Sequence, residues 1–208
     1  MEIKIFVEGP VDANNYLLID EKSKDAILID CSSDRQGFID DIKNLNVNLK
    51  YILLTHGHFD HILGVDKFKE VFGVETYVSK EDVSQIELTP KFMPIITGMA
   101  PVTIKSIKNY VKDGDIFKLG ENEIKAISTP GHTPGGMCYL VGDKLFSGDT
   151  LFQRSVGRCD FPGGSFETIV KSIKEKLFTL PDETEVFPGH GGKTKIGYEK
   201  KYNEILNI

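Results

Sequence analysis

No stretch of this sequence holds apolar residues in the unbroken run of roughly 20 that a membrane span needs, and its start, Met1-Glu2-Ile3-Lys4-Ile5, lacks the basic-then-apolar layout of a signal peptide. The cytoplasm is therefore the expected location, with no membrane partner. Cysteine is scarce. Cys31, Cys138 and Cys159 are odd in number, widely spaced and without a C-x-x-C pair, which argues against both a disulfide framework and a cysteine zinc site. They read as free thiols. Positive charge is not in excess either: the formal net charge of -6 disfavours a surface built to gather phosphate backbones, so nucleic acid is not an expected partner.

What is present is ordinary globular material. With 40% hydrophobic and 27% charged residues over 208 positions, the chain suits one domain, 1–208, with a sizeable core. Strand-like runs open it at Ile3 to Val7, Tyr16 to Ile19 and Ala26 to Ile29. A helical face at Phe38, Ile39, Ile42 and Leu45 precedes a strand at Tyr51 to Leu54, and a second face at Ile62, Val65, Phe68 and Phe72 stops at Gly73. After a strand near Thr76 to Val78 and a short helix near Glu81 to Leu88, the Pro-, Gly- and Met-rich stretch from Lys91 to Ile104 reads as an irregular excursion. The second half repeats the theme, with strands near Ile124 to Ile127, Met137 to Val141 and Lys144 to Phe146. A helix through Phe166, Ile169, Ile173 and Leu177 has Ser165 as its N-cap, and a strand at Glu185 to Phe187 and a helix over about Gly197 to Leu206 follow. Two sheet-plus-helix halves bury their apolar faces by stacking sheet on sheet, which predicts an α/β fold in four αβ/βα layers.

Only five histidines occur, and every one lies in a Gly-rich turn. Three stand in His56-Gly57-His58-Phe59-Asp60-His61, between a strand and a helix. In an extended loop, residues two apart point the same way, so His56 and His58 can reach one ion while Asp60 and His61 reach a neighbouring point. Imidazole and carboxylate donors suit zinc, iron, manganese or nickel. Three later turns, Thr129-Pro130-Gly131-His132, Ser147-Gly148-Asp149-Thr150 and Phe187-Pro188-Gly189-His190, each follow a strand-like run. Asp30, ending the strand Ile27-Leu28-Ile29, is placed either to orient a ligand imidazole or to make local turn bonds.

Taken in this order, the motifs resemble the metallo-β-lactamase superfamily, and more closely its glyoxalase II-like (hydroxyacylglutathione hydrolase-like) branch, over nearly the whole chain. The resemblance implies the four-layer metallo-β-lactamase fold and two divalent metal ions, zinc first, with iron or manganese as alternatives. It implies that His56, His58 and His132 hold one ion, that Asp60, His61 and His190 hold the other, and that Asp149 bridges them with a water-derived hydroxide. Asp60 and Asp149 are thereby the catalytic carboxylates of a thioester hydrolase whose partner is a small-molecule thioester. Asp149 stands where the common antibiotic-degrading relatives carry cysteine, which disfavours penicillin-type hydrolysis.

The alternative implied by the same likeness is a persulfide dioxygenase with one Fe(II) held by His56, His132 and Asp149, since two histidines and a carboxylate form a facial triad. Gly157-Arg158 lies where glyoxalase II-like enzymes place a cation for the thiol's carboxylate, making Arg158 the substrate-binding candidate. A structural pair with Asp160 is its other reading. Cys159 reads as a bystander thiol.

Overall fold

The computed structural model describes residues 1–206. The first sheet begins with three antiparallel strands, β1 (Glu2–Glu8), β2 (Ala13–Ile19) and β3 (Asp25–Ile29). Helix α1 (Gln36–Asn44) then crosses to β4 (Asn48–Leu53), and α2 (Phe59–Ile62) with α3 (Val65–Phe72) crosses to β5 (Glu75–Ser79). Helix α4 (Val83–Thr97) leads to β6 (Asn109–Val111), and the sheet from β3 onward is parallel, in the order β1-β2-β3-β4-β5-β6. The second sheet takes β7 (Ile116–Leu119), β8 (Asn122–Ser128), β9 (Met137–Val141) and β10 (Lys144–Gly148). After a small hairpin of β11 (Leu151–Phe152) and β12 (Ser155–Val156), helix α5 (Phe166–Ser172) continues as one π-helical turn, Ile173–Leu177. Then β13 (Glu185–Pro188), β14 (Thr194–Lys195) and α6 (Ile196–Tyr202) complete the order β14-β13-β10-β9-β8-β7.

Strand alternation explains the layering. Along β2 and β3, Leu17, Ile19, Ala26 and Leu28 join a cluster with Phe38, Ile39 and Ile42 of α1 and Val65 and Phe68 of α3. Their neighbours Tyr16, Leu18, Ile27 and Ile29 point the other way, into a cluster shared with Ile124, Ala126, Tyr139, Phe146 and Phe187 of the second sheet. Successive side chains of a strand face opposite sides, so a strand buried on both faces reads as a continuous apolar run. A third cluster joins Ile169, Ile173 and Leu177, four residues apart, to Leu145 and Val186. The order is helices, sheet, sheet, helices, as expected. Ile42 is 1% exposed, so Ile42→Ala costs about 2–5 kcal/mol of stability. Ser165 caps α5 by accepting from the Thr168 N–H at 3.3 Å.

Two expectations are corrected. The segment from Lys91 is not irregular: α4 runs to Thr97 with Pro90 and Pro94 inside it. Each proline removes an intrahelical donor, but Gln85, Ile86, Thr89 and Met93 are buried along one face and hold the helix in place. Left-handed Gly98 ends it, its N–H donating to the Pro94 carbonyl at 2.9 Å, and only the chain beyond is irregular up to β6. The last helix stops at Tyr202 and not near Leu206, because Asn203 turns out of helical geometry while its side chain donates to Ser155 O and to Glu199. No helix among the described residues is long and apolar enough to cross a membrane.

Candidate metal centre

The two sheets bring the carboxyl ends of several strands to one edge. Asp30 follows β3, the His56–His61 loop follows β4, Asp82 follows β5, His132 follows β8, Asp149 follows β10 and His190 follows β13. Open α/β sheets present their sites at such edges because loops there are free to diverge while the strands beneath stay rigid. Gly57 is required by a close approach: a Cβ there would lie 2.7 Å from the Asp82 carbonyl oxygen and 3.1 Å from the Gln85 Cβ.

All seven residues singled out from the motifs converge. Donor atoms of His56, His58 and His132 lie within 4.8 Å of one another, as do those of Asp60, His61 and His190, and those of His56, His61 and Asp149. The Asp149 carboxylate stands between the groups, with Oδ1 3.5 Å from His61 Nε2 and Oδ2 3.6 Å from His132 Nε2 and 3.7 Å from His190 Nε2. Asp60 Oδ2 is 3.3 Å from His190 Nε2 and 3.7 Å from His61 Nε2. Two donors on a tetrahedral zinc, each about 2.0–2.1 Å from the ion, stand roughly 3.3 Å apart. These separations are near that spacing.

The far side of each imidazole decides which nitrogen faces inward. His132 Nδ1 is 2.7 Å from the Arg158 carbonyl, and His190 Nδ1 is 3.3 Å from the Asp12 carbonyl. A carbonyl only accepts, so each Nδ1 carries the proton and each Nε2 presents a lone pair to the centre. His61 Nδ1 donates to Asp30 Oδ2 at 2.8 Å. His56 Nδ1 lies 3.0 Å from Thr55 Oγ1, whose hydrogen goes to Asp30 Oδ2 at 2.9 Å. One buried carboxylate thus orients two imidazoles, one directly and one through a hydroxyl, and the first of the two readings of Asp30 is the one its contacts support. His58 differs: its Nδ1 faces the centre, 2.9 Å from His132 Nε2.

Electrostatics divide the histidines. Burial, followed by the neighbouring imidazoles, pushes His56 well below the usual range, and burial with His132 pushes His58 down to about 4. Burial opposes charge on His61 too, but Asp30, Asp149 and Asp60 outweigh it and raise the imidazole to about 10. The Asp60 carboxyl is held below its ordinary range because His61 and His190 overcome its own desolvation. His56 Nε2, His61 Nε2 and Asp149 Oδ1 are buried without any hydrogen-bond partner. Orphaned buried polar atoms are costly, and three of them converging on one point fit a site shaped for cations.

The family model of the metallo-beta-lactamase superfamily matches residues 9–190. The chain belongs to the metallo-β-lactamase superfamily. It is 38% identical to "Hydroxyacylglutathione hydrolase GloC" of Haemophilus influenzae, over 95% of this chain and 96% of that one. Among solved structures it is similar to BLEG-1 B3 metallo-beta-lactamase (TM-score 0.89, 32% identity, 100% of both chains covered) and to TTHA1623 in a di-iron-bound form (TM-score 0.86, 30% identity, 98% and 100% covered). ETHE1 from Myxococcus xanthus follows at a TM-score of 0.80 and 29% identity, with 100% and 85% covered. A superfamily that binds divalent metals thus accounts for the donor cluster.

Above the centre of this superfamily member opens a cleft of about 540 Å³. Leu88, Phe92 and Ile96 of α4 form one wall, and Phe152, Phe161 and Arg158 another. Helix α4 therefore supplies a side of the cleft. Arg158 makes the expected pair with Asp160, donating twice at 2.7 Å; it also lines the cleft, with its guanidinium carbon 4.1 Å from the Phe161 ring centre. Cys159 is partly buried with its thiol pushed up by desolvation, as befits a bystander. Sequence reasoning missed Thr55, the Asp12 carbonyl and Asp82. Thr55 precedes the motif and was the one with a signal, since its hydroxyl adjoins the first ligand.

Proposed function

We propose that the protein is a dinuclear metal-dependent hydrolase of the cytoplasm, cleaving small acyl thioesters of the hydroxyacylglutathione type, with zinc as the natural ion. The observation that carries this reading is the second donor group: Asp60, His61 and His190 converge as fully as His56, His58 and His132, and the Asp149 carboxylate lies within 3.5–3.7 Å of donors from both groups. The similarity to the Haemophilus hydroxyacylglutathione hydrolase and to a di-iron-bound structure supports it. His56, His58 and His132 would hold one ion, Asp60, His61 and His190 the other, and Asp149 both. When bound, two such cations make a shared water acidic enough to supply hydroxide near neutral pH and polarise a carbonyl.

The chain's own residues do the rest. Asp30 keeps the proton of His61 on Nδ1, so that Nε2 stays a lone-pair donor through the cycle. The Asp60 carboxyl, held below its ordinary range by His61 and His190, stays ionised and offsets cationic charge. Phe92, Phe152 and Phe161 exclude water around the acyl group, and the Arg158 guanidinium, at the cleft's rim, pairs with a carboxylate on the thiol moiety. Metal analysis alongside turnover of S-lactoylglutathione and simpler acyl thioesters tests the reading: two ions and turnover are expected, and a folded, fully metallated protein inert to all of them overturns it. Replacing Asp149 with Ala should abolish turnover in a protein that stays folded. Because BLEG-1 is named a B3 metallo-beta-lactamase, a β-lactam is the control substrate, with no turnover expected.

A second reading, a mononuclear iron persulfide dioxygenase, draws on the likeness to ETHE1 and on the joint placement of His56, His132 and Asp149. Oxygen uptake with glutathione persulfide in the Fe(II)-loaded protein would establish it, and its absence would remove it.

A further inference from the structure

Asp82 sits just after β5, at the foot of α4, and is 0% exposed. Its carboxylate makes three hydrogen bonds, and none is to its own helix. Oδ2 accepts from the Gly57 N–H and from the Thr133 hydroxyl, both at 2.8 Å, and Oδ1 accepts from the Gly135 N–H at 2.6 Å. Gly57 is the residue between His56 and His58; Thr133 and Gly135 follow His132 in the turn after β8. One buried anion therefore ties together the two loops, from different sheets, that carry the first three-histidine group. Its backbone also begins the helix whose Gln85, Leu88, Thr89, Phe92 and Ile96 wall the cleft, and Gln85 donates onward to the Pro162 carbonyl at 2.9 Å, across to the segment bearing Arg158.

We propose that Asp82 is a positioning residue for the metal centre: a buried carboxylate that sets the spacing between the His56–His58 loop and the His132 turn and registers both against the α4 wall. This rests on reading the cluster as a metal site, and not on which substrate is cleaved. Two donors that must share an ion have to keep their separation to within a few tenths of an ångström, and backbone loops do so only when fixed from behind. The hydroxyl and two amides all donate, so the group in their midst must accept three times, which ionised Asp does and Asn cannot. With the Asn oxygen at the Oδ2 position its NH2 confronts the Gly135 N–H; flipped, it confronts the Gly57 N–H. Either orientation pushes one loop away.

The test is zinc affinity of Asp82→Asn, measured by chelator competition on the full chain after the metal has been stripped and returned, with Ile42→Ala as a control destabilised in the outer helical layer. Asp82→Asn should lose roughly 10- to 100-fold in affinity, while Ile42→Ala, assayed like it well below its melting midpoint, should bind as wild type. Wild-type affinity in Asp82→Asn, or a loss no larger than that of Ile42→Ala, overturns the proposal. If Asp82→Asn does not fold, the Thr133 pair decides: Thr133→Val should bind zinc more weakly than Thr133→Ser, which keeps the hydroxyl, and equal affinities overturn the proposal. Zinc affinity is read without substrate, so a failure of the thioesterase reading leaves this outcome intact.

Discussion

Asp30→Asn is the sharpest probe of how the imidazoles are oriented. Asp30 is 1% exposed and holds a left-handed backbone at φ 61°, which Asn tolerates, so the substitution adds little backbone strain. The carboxylate accepts from the Thr55 N–H at 2.8 Å, from the Thr55 hydroxyl and from His61 Nδ1 at 2.8 Å. An Asn amide has one accepting end. With its oxygen toward Thr55, its NH2 faces His61 Nδ1 and forces the ring proton onto Nε2, which then no longer offers a lone pair to an ion. With the amide turned over, the NH2 confronts the buried Thr55 N–H. A buried donor left without a partner costs about 1–3 kcal/mol, which corresponds to roughly 5- to 150-fold in ion affinity at 25 °C if the cost falls on the bound state. Chelator competition with zinc would measure that loss. Nitrogen NMR of the His61 ring in the zinc-bound protein would show the proton on Nδ1 in the wild type and a changed tautomer in the variant. Unaltered zinc affinity together with an unaltered His61 signal would refute the orienting role.

The other predictions address charge, space and recognition. In the absence of an ion His61 and His190 are raised and His56 and His58 lowered, so zinc binding at pH 7 should release at least one proton; calorimetry in buffers of different ionisation enthalpy reads it, and zero release contradicts the assignment of charge. Because His61 titrates about 10 when folded against about 6.5 unfolded, its contribution to the stability of the ion-free protein is complete below pH 6.5 and is lost as pH rises through 10. Melting curves of stripped protein between pH 7 and 10 should fall accordingly. Gly189→Ala places a Cβ 2.2 Å from Asp149 Oδ1 and 2.8 Å from His61 Cε1, so bound metal per chain should drop although no ligand is changed. Arg158→Met should raise KM for a carboxylate-bearing thioester about tenfold, the scale of one charge-assisted contact, with kcat and the melting midpoint unchanged; a change in kcat alone would argue for another role.

The layers were legible because burial on both faces writes itself into β2, β3, β4 and β10 as runs of Leu, Ile and Phe, and because α1, α3 and α5 keep apolar residues three and four apart. Helix α4 was not. Its prolines and Gly98 are honest local breaker signals, and what overrides them is the tertiary burial of Thr89 and Met93, which sequence spacing alone does not reveal. Short edge strands such as β7 and β14 escaped notice for a related reason: Ile116-Phe117-Lys118-Leu119 and Thr194-Lys195 are too brief for alternation to stand out.

The donors were legible for a different reason: ligand chemistry restricts residue type, and five histidines in Gly-rich turns are conspicuous wherever the fold carries them. What orients those donors is chemically anonymous. The Arg158 and Asp12 carbonyls that fix two tautomers are backbone, available at any residue, and Thr55, Asp30 and Asp82 belong to types common at strand ends. Their roles arise only when β3, β4, β5 and β8 are laid side by side, so that Asp30 meets His61 across 31 residues and Asp82 meets Gly135 across 53. It follows that substitutions at Asp30 and Asp82 should act on metal affinity before they act on recognition, whereas those at Phe92, Phe161 and Arg158 should do the reverse. Comparing zinc affinity and KM across the two sets would separate the layer that holds the centre from the layer that selects the substrate.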